Sequence, residues 1–147
     1  MMSSVLSGSW TIAARAENVT FVRQAVLEFI AAHGIAEPSL TDVRLAVSEA
    51  VTNAVVHAFR SRSEPGTVEV LARVSADGRR LEVVVRDNGS GMAPRHDSPG
   101  LGLGLPLIRH LTDQFDHHEP AGGGTELWMR FRVSPRHGTA PAAQASD

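Results

Sequence analysis

The stretch TDVRLAVSEAVTNAVVHAFR, residues 41–60, decides the fold. Its apolar residues Val43, Ala46, Val47, Ala50, Val51, Ala54, Val55 and Ala58 recur at three- and four-residue spacing. That period draws a wide apolar stripe down one side of an α-helix. Ser39 and Asp42 read as a capping pair at its start, and Pro65-Gly66 limits its end. At about 1.5 Å per residue the helix would run roughly 30 Å, enough to cross a small domain. The other side carries Glu49, Asn53 and His57, four residues apart and therefore stacked in one row. A carboxylate can orient a nucleophile or accept its proton. A carboxamide oxygen is a hard ligand suited to Mg²⁺. Taken alone, the row also reads as three ordinary polar residues on a solvated helix face.

Upstream, SWTIAAR at residues 9–15 alternates, with Trp10, Ile12 and Ala14 on one side, and reads as a strand. Residues 16–33 place Phe21, Val22, Ala25, Val26, Phe29 and Ile30 at helical spacing before Gly34, with Arg23, Gln24 and Glu28 on the exposed face. Downstream, residues 67–74 alternate with Val68, Val70, Ala72 and Val74 inward. Asp77-Gly78 marks a hairpin, and Leu81, Val83 and Val85 alternate in the next strand. So short a connection requires antiparallel pairing.

That second strand runs into DNGSG, residues 87–91. An aspartate at a strand end can accept a hydrogen bond from a base amine, and glycines admit close approach of a ligand to the backbone. The same residues suit a simple turn. A polar loop, MAPRHDSP, leads to GLGLG at residues 100–104 and the helical segment LPLIRHLTDQF, where Pro106 suits a first turn. Glycines feeding a helix N-terminus make a phosphate cradle. The spacing is not that of a dinucleotide fold, and no GK[ST] follows as in a P-loop. Residues 115–119 read as a strand. After the turn Gly122-Gly123-Gly124, Leu127, Met129, Phe131 and Val133 alternate in a last strand. His110, His117 and His118 lack a ligand spacing and read as surface residues.

Composition bounds the function. A chain of 147 residues with 42% hydrophobic and 20% charged content fits one globular domain, placed at residues 9–133, with a Pro/Ala-rich disordered tail at 134–147. A net charge of −2 argues for no nucleic-acid partner. The absence of cysteine excludes a disulfide scaffold and suits the cytoplasm. The longest apolar runs are too short to span a bilayer, and no signal peptide is expected.

Four sites occur in a fixed order: Glu49-xxx-Asn53 on a helix, Asp87-x-Gly89-x-Gly91 after a strand, Gly102 and Gly104 before a helix, and Gly124-Thr125 before the last strand. This set resembles the ATP-binding domain of the GHKL superfamily, which includes gyrase, chaperone, mismatch-repair and histidine-kinase ATPases. Within it the chain is most similar to the bacterial anti-sigma serine-protein kinases of sporulation and stress control, above all in VSEAVTNAVVHAF.

The resemblance implies an α/β two-layer sandwich, a mostly antiparallel mixed sheet with helices on one face, and ATP between the layers. It implies that Asn53 holds Mg²⁺, that Glu49 is the general base, and that Asp87 accepts the adenine amine. Gly89 and Gly91 would give the adenine and sugar room, and Gly102 and Gly104 would cradle phosphates beside Leu105. Thr125 would support the adenine side, and Arg23 would engage a partner protein. The implied activity is a serine/threonine kinase and anti-sigma factor that phosphorylates an anti-anti-sigma antagonist and forms a homodimer. Alternatives are an ATP-binding regulatory module without transfer, and the catalytic domain of a histidine kinase. Only ten residues separate Gly91 from Gly102, a shorter lid than in the sporulation and stress members. Arg95 or His96 is the candidate charge closing over the phosphates.

Overall fold

The apolar stripe of the central segment is buried from Val43 to Val55, and the other elements assemble around it. The computed structural model describes residues 6–60, 66–89 and 101–133. The expected tail, residues 134–147, lies outside the described residues. The elements are β1 (Leu6–Ala13), α1 (Glu17–Ala32), α2 (Ser39–Arg60), β2 (Thr67–Val74), β3 (Arg80–Asp87), α3 (Leu101–Leu111), β4 (Gln114–His118) and β5 (Thr125–Arg132).

The five strands form one sheet in the order β1-β2-β3-β5-β4. Among the described residues all four pairings are antiparallel, so the sheet there is not mixed. α2 packs on β2, β3 and β5, with α1 and α3 against its flanks. The result is the expected two-layer α+β sandwich. Period-2 alternation sends Val68, Val70, Ala72 and Val74, then Val83 and Val85, then Leu127 and Met129 into the core beneath α2. There they meet Val43, Ala46, Val47, Ala50 and Val51. The Asp77-Gly78 turn forms as read: Gly78 takes φ +71°, and Asp77 Oδ1 accepts the Ser75 hydroxyl and the Arg79 N–H.

Several expectations need correction. β1 begins at Leu6 rather than at Ser9, because it pairs with the whole of β2. Phe21 is 61% exposed. The buried stripe of α1 is the narrow one of Val22, Val26 and Ile30, and Phe21 sits one residue, about 100°, away from it. α2 starts at Ser39 itself. At its head Glu37, not singled out in the sequence, accepts the Thr41 N–H at 3.0 Å and the Thr41 hydroxyl at 2.7 Å.

α3 begins at Leu101, so Gly102 and Gly104 lie within its first turn rather than in a preceding loop, and Pro106 falls mid-helix. A proline there donates no hydrogen bond to the carbonyl four residues back. Lastly, Glu82 and Val84 are buried although they point away from the helices. Glu82 lies between Arg73 and Arg130, which neutralise it.

Candidate functional site

Asp87 ends β3 and Thr125 begins β5, and the antiparallel register sets them directly opposite one another. Two residues along, Val85 and Leu127 face the helices, so Asp87 and Thr125 face them too. Both are buried. Burial pushes the Asp87 carboxyl up to about 6, against the opposing effect of a hydrogen bond from the Gly89 N–H. That bond, 2.9 Å to Oδ1, fixes one oxygen. The other, Oδ2, accepts no hydrogen bond among the described residues. A desolvated carboxylate with one free acceptor is suited to an amine donor of a ligand.

The backbone around this pair is held closely. Gly124 has φ +83°, and a Cβ there would collide with the Asp87 carbonyl oxygen. Only glycine lets the start of β5 close onto the end of β3, which gives the Gly124-Thr125 pair its physical reason. Asn88, which the sequence reading passed over, ties the chain beyond β3 to β2. Its Oδ1 accepts the Thr67 N–H at 2.8 Å, and its own N–H donates to the Thr67 carbonyl at 3.3 Å. An Asx residue immediately after a strand was the available signal.

Asn53 is buried, so it does not belong to a solvated face. It sits on α2, the helix that packs on both the sheet and α3. Its Nδ2 has no hydrogen-bond partner among the described residues, and the same holds for Thr125 Oγ1. Buried polar atoms without partners are rare, and each costs about 1–3 kcal/mol. Thr125 stands opposite the desolvated Asp87 carboxylate in the sheet register, and Asn53 is buried on the helix that packs on β3 and β5. Thr125→Val, close in shape and without the hydroxyl, is expected to raise the stability of the free protein by about 1 kcal/mol. Urea unfolding checks this, and a comparable loss would mean that the hydroxyl already has a partner.

Glu49, one turn before Asn53, is half-buried and makes no hydrogen bond or ion pair among the described residues. Arg23 is likewise half-buried rather than exposed, and its Nη1 donates to Ser48 Oγ at 3.2 Å. This bond bridges α1 and α2 one residue from Glu49. The first turn of α3, which holds Gly102 and Gly104, carries the free N–H groups of a helix start. α3 packs against α2, and the half-buried Leu105 joins the core.

Gly91, Arg95, His96 and the side chain of His57 lie outside the described residues. His110, His117 and His118 are exposed. No group of three His, Cys, Asp or Glu suited to a metal occurs among the described residues.

Two facing layers, a carboxylate at a strand end and a buried asparagine on the central helix accompany a match to an ATPase-type domain. The chain belongs to the family described as the histidine kinase-like ATPase domain, matched over residues 12–131, and members of that family use ATP. Its relatives there include anti-sigma factors and serine-protein kinases. It is 33% identical over 124 residues to the anti-sigma F factor of Pasteuria penetrans, with 77% of this chain and 81% of that protein covered. It is 32% identical over 124 residues to the serine-protein kinase RsbW of Staphylococcus epidermidis, with 74% and 77% covered. Among solved structures, the RsbU and RsbW domains of Rv1364c from Mycobacterium tuberculosis superpose with a TM-score of 0.69 at 24% identity over 91% of this chain. This chain spans 35% of that longer one, and the likeness bears on the fold.

Proposed function

We propose that this chain is an anti-sigma factor and a serine/threonine protein kinase. It binds Mg-ATP and transfers the γ-phosphoryl group to a hydroxyl of an anti-anti-sigma antagonist. The observation that carries this reading is the desolvated Asp87 carboxylate, paired with the orphaned Thr125 hydroxyl and facing the helix that holds buried Asn53.

Asp87 Oδ2 accepts the exocyclic amine of adenine, which distinguishes ATP from GTP, and the Thr125 hydroxyl supports the same edge. Gly89 keeps the backbone low beside the base. The backbone N–H groups of Gly102 and Gly104, at the start of α3, receive phosphate oxygens. The Asn53 carboxamide has a hard oxygen to offer Mg²⁺, a cation that keeps few protein ligands and takes the rest from phosphate and water. When bound, the ion neutralises charge on the phosphates.

Glu49 orients the attacking hydroxyl and accepts its proton as the hydroxyl oxygen bonds to the γ-phosphorus. The bond from that phosphorus to the β,γ-bridging oxygen breaks, and ADP leaves with the electron pair. Arg23, held beside Glu49 through Ser48, contacts the partner. A phosphate added to the antagonist at that interface would weaken the complex by charge and bulk. The unphosphorylated antagonist releases the sigma factor. The ten-residue span from Gly91 to Gly102 supports a second reading, ATP binding without transfer. Transfer of labelled phosphate from ATP to a purified antagonist separates the two. Binding without transfer favours the module.

The setting is the cytoplasm, and no described helix is long and apolar enough to cross a membrane. The working unit is a homodimer joined through β1. That strand is a sheet edge of eight residues, LSGSWTIA, without charge or proline. The opposite edge, β4, is five residues long and carries Asp116, His117 and His118. An unprotected edge presents a row of free backbone groups to another strand. Sedimentation should give twice the chain mass for the wild type and a monomer for Thr11→Lys. A Thr11→Lys chain that still sediments as a dimer would rule out this edge.

A further inference from the structure

The face of the sheet that the helices leave bare holds a cavity of about 660 Å³, lined in part by Arg73, Arg80, Glu82, Asp113, Arg130 and Arg132. Its charges are unevenly matched. Glu82 is held by Arg73 Nη1 at 3.3 Å and Arg130 Nε at 2.8 Å. Asp113 Oδ2 accepts the backbone N–H of Arg132 at 2.6 Å. Arg80 and Arg132 stand directly opposite one another on β3 and β5, both exposed. Neither guanidinium forms a close ion pair among the described residues, although the Asp77 carboxylate attracts Arg80 from a longer distance. Like charges facing across two strands destabilise the pair. Four arginines and two carboxylates line the cavity, and Asp116 pairs with Arg130 Nη1 at 3.4 Å from outside that lining.

The geometry points to a docking site for an acidic segment of a partner protein, with an Asp or Glu carboxylate bridging Arg80 and Arg132. Guanidinium and carboxylate match in planar, two-bond geometry, and an anion between the two arginines converts their repulsion into attraction. The cavity is far larger than a single oxyanion and opens along the sheet face, so it suits a side chain carried on a peptide. Glu82 and Asp113 interrupt the positive surface, and a nucleic-acid backbone needs a continuous basic stripe. The site is separate from the nucleotide pocket. Arg80 opens β3 on the bare face, whereas Asp87 closes the same strand on the helix face, about 23 Å away along it.

Fluorescence anisotropy of a labelled hexaglutamate peptide with the full chain tests this. The wild type should bind at low salt and release the peptide at high salt. Arg80→Gln/Arg132→Gln should weaken binding by about tenfold or more, whereas Arg15→Gln, an exposed arginine elsewhere, should leave it unchanged. The double variant should melt no lower than the wild type, since it relieves a repulsion, so weaker binding would not reflect loss of fold. Equal affinity in the double variant would overturn the proposal. So would inorganic phosphate or an oligothymidylate binding as tightly as the peptide with the same dependence on Arg80 and Arg132.

Discussion

Asp87→Asn should weaken ATP binding by about 100-fold, close to 3 kcal/mol, and leave the fold intact. The carboxylate has an acceptor for each of two donors: Oδ1 for the Gly89 N–H and Oδ2 for the adenine amine. An asparagine has one oxygen. Whichever donor it serves, its own N–H₂ is turned toward the other. Calorimetric titration measures the affinity, and unchanged binding would place the pocket elsewhere.

The same substitution carries a pH signature. The carboxyl titrates at about 6 in the folded chain against an ordinary 3.8, so the folded state takes up the proton first. Its contribution to stability is fully present below 3.8 and is lost as pH rises through about 6. The neutral asparagine should therefore stabilise the free protein by about 1 kcal/mol at neutral pH. That advantage should shrink as pH falls through the same window, read by melting curves of both chains. ATP affinity of the wild type should fall below about pH 6, where the acceptor becomes protonated.

Glu49→Gln should lower phosphoryl transfer by about 10²–10⁴-fold, the range for loss of a general base, with ATP affinity nearly unchanged. The carboxamide keeps the size and a hydrogen-bond acceptor but cannot take the hydroxyl proton. Glu49 has no competing partner among the described residues, so its loss removes chemistry rather than a structural bond. Single-turnover transfer to an antagonist, beside nucleotide binding, separates the two effects. Equal loss of binding would assign Glu49 to the nucleotide, and unchanged transfer would remove it from the reaction.

The architecture was legible wherever local period and global packing agree. The 3.6 period of residues 41–60 and the alternation at residues 67–74 and 81–86 named the layers, and the inward residues from Val43 to Val55 and along β2 and β3 are buried as read. What the sequence did not reveal came from neighbours distant in the chain. The burial of Asn53 comes with the packing of other elements around α2, which its place in a polar row does not announce. The burial of Glu82 depends on arginines from β2 and β5. The exposure of Phe21 follows from α1 lying against its neighbours along a narrower stripe than the apolar residues span. The start of α3 was placed late because glycines, poor helix formers, read as loop, whereas the helix begins at Leu101. At the site, the motif named Asp87 and Thr125. Only the register showed them side by side, with Gly124 as the residue that lets the strands close.

The convergence of α2, β3 and β5 on one Mg-nucleotide is tested most directly by titrating the ¹⁵N-labelled protein with Mg-ADP. The Asn53 side-chain amide, unpartnered among the described residues of the free protein, should shift together with the backbone amides of Gly89, Gly124 and Thr125, while those of Arg80 and Arg132 stay fixed. Shifts on the bare sheet face with Asn53 and Gly89 unmoved would contradict the account.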